Sequence, residues 1–175
     1  MPARSQGCRK THFEIFNRMS FCELKIGARY ESLAFNDRML EWNPDYETGV
    51  PEIDTQHKVL FDNINRLGKL LGKEEIEQAE ADSVLDFLQQ YVVQHFQHEE
   101  NCMARFHCPA HAKNKEQHIQ LLNALMHFNE DYATAGLMKD KLQRLHMTLV
   151  WWINSHILKV DIQLKDCVQS KAPAG

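Results

Sequence analysis

The sequence is poor in the residues that build turns. Among 175 residues it has seven glycines and five prolines, which favours long helices over a turn-rich β fold. It has no apolar run as long as a membrane span, so we expect no membrane insertion. A formal net charge of −4 argues against nucleic acid as a partner, because such proteins carry a basic surface. The chain also has no glycine-rich phosphate loop, nucleophile elbow or zinc-protease motif.

Cysteine pairing signals are also missing. The five cysteines are an odd number, and none of them forms a Cys-x-x-Cys pair. The N-terminus lacks the apolar core of a secretory signal. We therefore expect free thiols in a reducing cytosol and a cytoplasmic location, with a disulfide framework as the alternative.

A helical pattern is present. Apolar residues recur at steps of three and four in four long segments, and this spacing is typical of amphipathic helices. The segments run over about 53–71, 75–106, 110–133 and 139–168. Four long helices joined by short loops predict an all-α fold, an up-down-up-down four-helix bundle.

The first forty residues differ from the rest in composition. Basic residues are scattered there among isolated apolar ones, and the character changes at Met39, in MLEWNPDYETG. We predict an N-terminal extension over residues 1–40, poorly structured or forming one short helix. An upstream misreading of the start codon is a second hypothesis for this segment. The bundle then covers 41–169, and a disordered tail covers 170–175.

The second helix carries two polar side chains within its apolar stripe. His95 and Glu99 lie four residues apart, one helical turn, on a face that is otherwise apolar. A carboxylate in a core face is costly unless something pairs with it. A metal ion is one such partner, and an imidazole one turn away is well placed to share it.

Inward-facing histidines occur on the other three helices as well. His57, His118 and His156 each fall inside an apolar stripe. One such histidine is usually a hydrogen-bonded core residue, but four of them with an inward Glu99 are hard to explain as packing. Asp161 follows His156 by five residues, about 140° further round an ideal helix, so spacing supports it least. We expect five other histidines at the surface or in loops: His12, His98, His107, His127 and His146.

Mixed imidazole and carboxylate ligands suit iron, manganese or zinc. The Glu-x-x-His motif of ferritin-like bundles does not occur in the sequence. The chain instead resembles the hemerythrins, in particular the single-domain bacterial ones, over roughly Trp42 to Val168. The matching segments are IDTQHKVLFDNINRL, YVVQHFQHEENCM and WWINSHILKVD. This resemblance implies a four-helix bundle around a non-haem di-iron centre that binds O2 reversibly.

The resemblance also implies a role for each metal-capable residue. His57 and His95 correspond to the ligands of the less-coordinated iron, where the family binds O2. Glu99 and Asp161 correspond to the two carboxylates that bridge the irons. His118 and His156 correspond to ligands of the other iron.

One position departs from the family pattern. The second iron normally has a third histidine, four residues before His118, and here that position is Asn114. A neutral amide is a weaker iron ligand than imidazole. The second iron is then five-coordinate, completed by water or Asn114, or it is held loosely. His111, one helical turn before Asn114, is a less favoured substitute for the missing histidine ligand.

Because Asn114 replaces a histidine ligand, functions other than O2 carriage, storage or sensing are also considered. These are a single-metal site, NO binding, and weak oxidase or peroxide chemistry. We expect a binding protein and not an enzyme, and a monomer whose protein partner is unknown.

Overall fold

The computed structural model describes residues 39–170. Four long helices dominate them: α1 (Pro51–Leu71), α2 (Gln78–Arg105), α3 (His111–Ala135) and α4 (Lys139–His156). Helix α1 contacts α2 and α4, while α3 contacts α2 and α4. The described residues contain no β-strand, which confirms the predicted all-α four-helix bundle. The predicted extension and tail lie outside the described residues, except for positions 39, 40 and 170.

A short loop before α1 turns the chain into the bundle. The backbone N–H and the hydroxyl of Thr48 both donate to Asp54 Oδ1, at 2.8 and 2.7 Å. Gly49 has φ +78°, and a Cβ there would lie 3.2 Å from Lys165 Cγ, so glycine suits this turn best. Pro51 occupies the first helical position, where its missing N–H costs nothing.

Helix α2 ends in a Schellman motif. The N–H of Cys108 donates to the carbonyl of Met103 at 2.9 Å, and that of His107 to Ala104 at 3.0 Å. His107 adopts φ +49°, the left-handed conformation that this cap requires. Pro109 follows, and it prevents the helix from continuing.

A disulfide joins Cys108 to Cys167, with Cα atoms 5.4 Å apart. The expectation of free thiols is therefore wrong for this pair. The two cysteines are 59 residues apart in sequence, and only the return of the chain after α4 brings Cys167 beside the α2–α3 loop. Among the described cysteines, Cys102 is free.

The predicted helix over 139–168 is not regular throughout. After α4, residues Ile157–Asp161 form a π-helical turn, and a short helix, α5 (Gln163–Gln169), follows. The N–H of Ile162 donates to the carbonyl of Ile157 at 3.1 Å, an i→i+5 hydrogen bond. Residues five apart are then one turn apart, so Asp161 lies on the same face as His156.

The core has two apolar parts with a polar layer between them. The larger part fills most of the bundle and includes Leu60, Phe96, Leu121 and Ile157. The smaller part lies near the disulfide and consists of Ile53, Met103, Cys108, Ala110, Val160, Leu164 and Cys167. Along each helix, the residues predicted to bind metal fall between members of these two clusters.

His146 is a correction to the predicted surface histidines. It is fully buried in α4. Gly68 of α1 makes room for it, since a Cβ on Gly68 would lie 2.8 Å from His146 Nε2. The position of His146 next to Leu145 in the helix gave no sign of the space that Gly68 leaves for it.

No helix in the described part of the chain is long and apolar enough to span a membrane.

Candidate metal centre

All four helices, with the π-helical turn after α4, contribute to the polar layer. Each of its side chains is at most 2% exposed. The layer consists of His57, His95, Glu99, Asn114, His118, His156 and Asp161. The structure thus brings together the six residues favoured as metal ligands, Asp161 included.

The two carboxylates divide their oxygens between two groups of histidines. Glu99 Oε1 lies 3.7 Å from His57 Nε2, whereas its Oε2 lies 3.3 Å from His118 Nε2. Asp161 Oδ2 lies 3.6 Å from His57 Nε2, whereas its Oδ1 lies 3.1 Å from His156 Nε2. We call the part with His57 and His95 the α1–α2 half, and the part with Asn114, His118 and His156 the α3–α4 half.

Several donor atoms of the layer fit a cation. His57 Nε2, Glu99 Oε1 and Asp161 Oδ2 are buried and have no hydrogen-bond partner among the described residues. Buried polar atoms are nearly always paired, so such a group calls for a partner. Ligands about 2.1 Å from one ion lie about 3 to 4 Å from each other. The donor atoms of His57, His95 and Glu99 lie within 4.8 Å of one another, as do those of Glu99, His118 and His156.

Three of the four imidazoles are oriented by a neighbouring side chain. In each case Nδ1 lies within hydrogen-bond distance of a side-chain oxygen on the preceding helix, which leaves Nε2 directed into the layer. The pairs are His95 with Gln56 (3.1 Å), His118 with Glu100 (3.0 Å) and His156 with Gln117 (2.7 Å). Orienting partners of this kind commonly fix the tautomer of metal-binding histidines.

Sequence reasoning missed these orienting residues. Each one is adjacent in sequence to a member of the polar layer: Gln56 precedes His57, Glu100 follows Glu99, and Gln117 precedes His118. Each then reaches forward to the histidine of the next helix. A polar residue beside an inward ligand was therefore the available signal, but the pairing itself depends on how the helices meet.

Aromatic side chains pack against the α3–α4 half. The ring of Phe96 stacks on His118 with centroids 3.6 Å apart, and Trp152 stacks on His156 at 4.2 Å. Trp151 is 56% exposed, so only one of the two adjacent tryptophans faces inward. Trp42 lies beside the α1–α2 half, 6.3 Å from the ring of His57.

Burial shifts the pKa values of the layer. It lowers the pKa of His57 to about 4 and that of His95 well below its ordinary value. Burial, with the nearby charge of Asp161, raises the pKa of Glu99 well above its ordinary value. Burial also acts to raise the pKa of Asp161, but the charge and hydrogen bond of His156, together with the charges of His57 and His118, outweigh it, and the pKa is lowered. Imidazole nitrogens together with carboxylate oxygens form a donor set suited to a divalent cation.

Asn114 is fully buried and contacts both carboxylates. Its Nδ2 donates to Glu99 Oε2 at 2.9 Å and to Asp161 Oδ1 at 3.1 Å. Its Oδ1 has no hydrogen-bond partner among the described residues. His111, weighed as a substitute ligand, is not among the described groups whose donor atoms converge.

Known proteins match most of this chain. A family model described as the hemerythrin HHE cation binding domain matches residues 48–167. A bacteriohemerythrin of Clostridium acetobutylicum is 30% identical over 132 residues, which are 73% of this chain and 100% of that protein. A bacteriohemerythrin of Methylococcus capsulatus is 28% identical over 75% of this chain and 98% of its own. A crystal structure of wild-type hemerythrin superposes with a TM-score of 0.63 at 26% identity, covering 74% of this chain and 97% of that one.

Proposed function

Because the chain belongs to the hemerythrin family, we propose that it binds O2 reversibly at a non-haem di-iron centre in the polar layer. The observation that carries this proposal is the division of the carboxylate oxygens. Glu99 and Asp161 each direct one oxygen toward the α1–α2 half and the other toward the α3–α4 half. Two carboxylates in this arrangement suit a pair of cations that share them.

The proposed ligands follow from that division. His57 and His95 would hold one iron, His118 and His156 the other, and the carboxylates of Glu99 and Asp161 would bridge the two. The unpartnered buried atoms of His57, Glu99 and Asp161 support this assignment, because a cation gives each of them a partner. The bound iron pair would supply the electrons for reversible O2 binding.

The protein's own residues would control access to that pair. The layer lies between two apolar clusters, which exclude water and anions and so protect a bound ligand. Gln56, Glu100 and Gln117 would hold three imidazoles in place. We propose binding and not catalytic turnover, because a site whose side chains are at most 2% exposed suits a diatomic ligand better than a larger substrate.

Iron content and O2 cycling test the proposal. We expect two irons per chain, and an absorbance band of the ferrous protein that forms under O2 and disappears under argon over repeated cycles. His57→Ala should abolish the band, whereas His127→Ala, at an exposed position on α3, should leave it unchanged. A protein without iron, or a band that decays in one cycle without recovery, would contradict the proposal.

That the protein is cytoplasmic and that it is a monomer both stay predictions. The disulfide between Cys108 and Cys167 bears on the location, because disulfides persist mainly in oxidising compartments. Alkylation of free thiols in intact cells, followed by mass analysis, would show whether this pair is oxidised where the protein works.

A further inference from the structure

Asn114 stands where the hemerythrin resemblance predicts a third histidine of the α3–α4 half. We propose that Asn114 serves as a hydrogen-bond donor to the shared carboxylates and not as a metal ligand, and that the α3–α4 half therefore holds its metal more weakly than the α1–α2 half. This inference rests on the proposed function, because it takes the polar layer to be the metal site.

The geometry of the amide supports the donor role. Its NH2 group has two hydrogens, and two acceptors lie within reach: Glu99 Oε2 at 2.9 Å and Asp161 Oδ1 at 3.1 Å. The opposite amide orientation would direct a carbonyl oxygen at both carboxylate oxygens, which repel it. An amide nitrogen has no free lone pair for a metal, and in this orientation it is the nitrogen, not Oδ1, that faces the two carboxylate oxygens.

The same oxygens are the ones that a metal in the α3–α4 half would use. Glu99 Oε2 lies 3.3 Å from His118 Nε2, and Asp161 Oδ1 lies 3.1 Å from His156 Nε2. A cation there must compete with two hydrogen bonds from Asn114. It must also displace the contact between the Nε2 atoms of His118 and His156, which are 3.0 Å apart.

The α1–α2 half presents no such competition. Its carboxylate oxygens, Glu99 Oε1 and Asp161 Oδ2, have no hydrogen-bond partner among the described residues, and neither ring nitrogen of His57 has one. Apart from Asn114, the two halves offer the same set of donors, two imidazoles and two carboxylate oxygens. The difference in their metal affinity is therefore assigned to the amide and the hydrogen bonds around it.

Stepwise metal titration tests this difference. The full-length protein is freed of metal with a chelator and titrated anaerobically with Fe(II), and separately with Co(II), whose visible spectrum reports ligand geometry. For the parent protein we expect two binding steps. The second should be at least about tenfold weaker, the factor that corresponds to losing one charge-assisted hydrogen bond. His57→Ala should remove the tight step, and His156→Ala the weak one.

Two substitutions of Asn114 separate a donor from a ligand. Asn114→His should bring the second step close to the first, because it replaces the competing amide with a ligand. Asn114→Leu, of similar size, removes the competing donor without adding a ligand, so the second step should tighten relative to the parent. If Asn114 coordinates through Oδ1, Asn114→Leu should instead weaken that step. Helicity by circular dichroism would show that each variant is folded before titration.

The outcomes are distinguishable. Two equal steps in the parent, or a weaker second step in Asn114→Leu, would overturn the inference and leave the di-iron proposal standing. Failure of every folded variant and of the parent to bind either metal would overturn both proposals.

Discussion

The two halves of the polar layer contain similar side chains but differ in how far these are already paired. In the α3–α4 half, Asn114 bonds both carboxylates, and His118 and His156 contact each other. In the α1–α2 half, His57 has no hydrogen-bond partner among the described residues on either ring nitrogen. A cation gains most where buried polar atoms lack partners, because it replaces nothing. We therefore expect metal affinity to depend on how the donor atoms are already paired, and not on residue type alone.

The halves also differ in what holds them together. The α1–α2 half rests on two regular helices, with His57 and His95 rings 4.7 Å apart. Both halves share Asp161 on the π-helical turn, but in the α3–α4 half His156 lies directly before that turn, and the disulfide anchors α5 directly after it. The geometry of the α3–α4 half should thus be more sensitive to changes far from the layer.

The largest effect is expected from the shared carboxylate Asp161. Asp161→Asn removes the negative charge that both halves share and replaces one carboxylate oxygen with an NH2 group. Both irons should therefore bind at least about 100-fold more weakly, the upper end of what losing an orienting partner costs. Iron per chain after a chelator challenge measures this. Asp166→Asn, at an exposed position of α5, is the matched control. Loss of a single iron in Asp161→Asn would show that the carboxylate is not shared.

The second-largest effect is expected from removing the disulfide between Cys108 and Cys167. Cys108→Ser opens a loop of 59 residues, and chain entropy predicts a loss of about 4 kcal/mol in the free energy of unfolding. Urea unfolding measures the change, with Cys102→Ser as the control because Cys102 is free. The weak metal step should suffer more than the tight one, since Cys108 lies just before α3 and Cys167 lies in α5, just after the π-helical turn. An equal loss in the two steps would contradict the view that the disulfide supports one half.

A smaller effect, confined to one half of the layer at a time, is expected from the orienting glutamines. Gln117→Leu should weaken metal binding in the α3–α4 half about tenfold, and Gln56→Leu should do the same in the α1–α2 half, as is usual when a ligand histidine loses its partner. Stepwise Co(II) titration separates the two effects. Gln120→Leu, at an exposed position of α3, should change neither step. A general weakening in all three variants would indicate loss of fold and not of orientation.

The smallest effect is expected outside both halves. Gly68→Ala gains helix propensity but forces a Cβ to within 2.8 Å of His146 Nε2. We expect a net loss of about 1 kcal/mol in the free energy of unfolding, because overpacking costs more than propensity returns. Thermal unfolding measures it, and Gly72→Ala, at a position with φ −77°, is the control. Iron per chain should not change, since burial of a histidine does not by itself make a metal site.

The helices and most of the polar layer could be read from the sequence because their pattern is local. Steps of three and four residues place His95 and Glu99 on one face whatever surrounds the helix. The same periodicity put His57, His118 and His156 inward, and the structure buries all three. Trp151 and Trp152, neighbours in one helix, could not both face the core, and Trp151 is exposed.

The remaining features depend on contacts between distant segments, which no local pattern encodes. Asp161 meets His156 only because a π-helical turn replaces the regular spacing, and a period of 3.6 residues places it elsewhere. The disulfide requires α5 to return beside the α2–α3 loop, and the burial of His146 requires the missing side chain of Gly68 on another helix. The sequence by itself determined most of the side chains that face inward, because that follows from helix geometry, although it did not do so for His146. Only the tertiary structure decided which atoms they meet, because that follows from how four helices pack together.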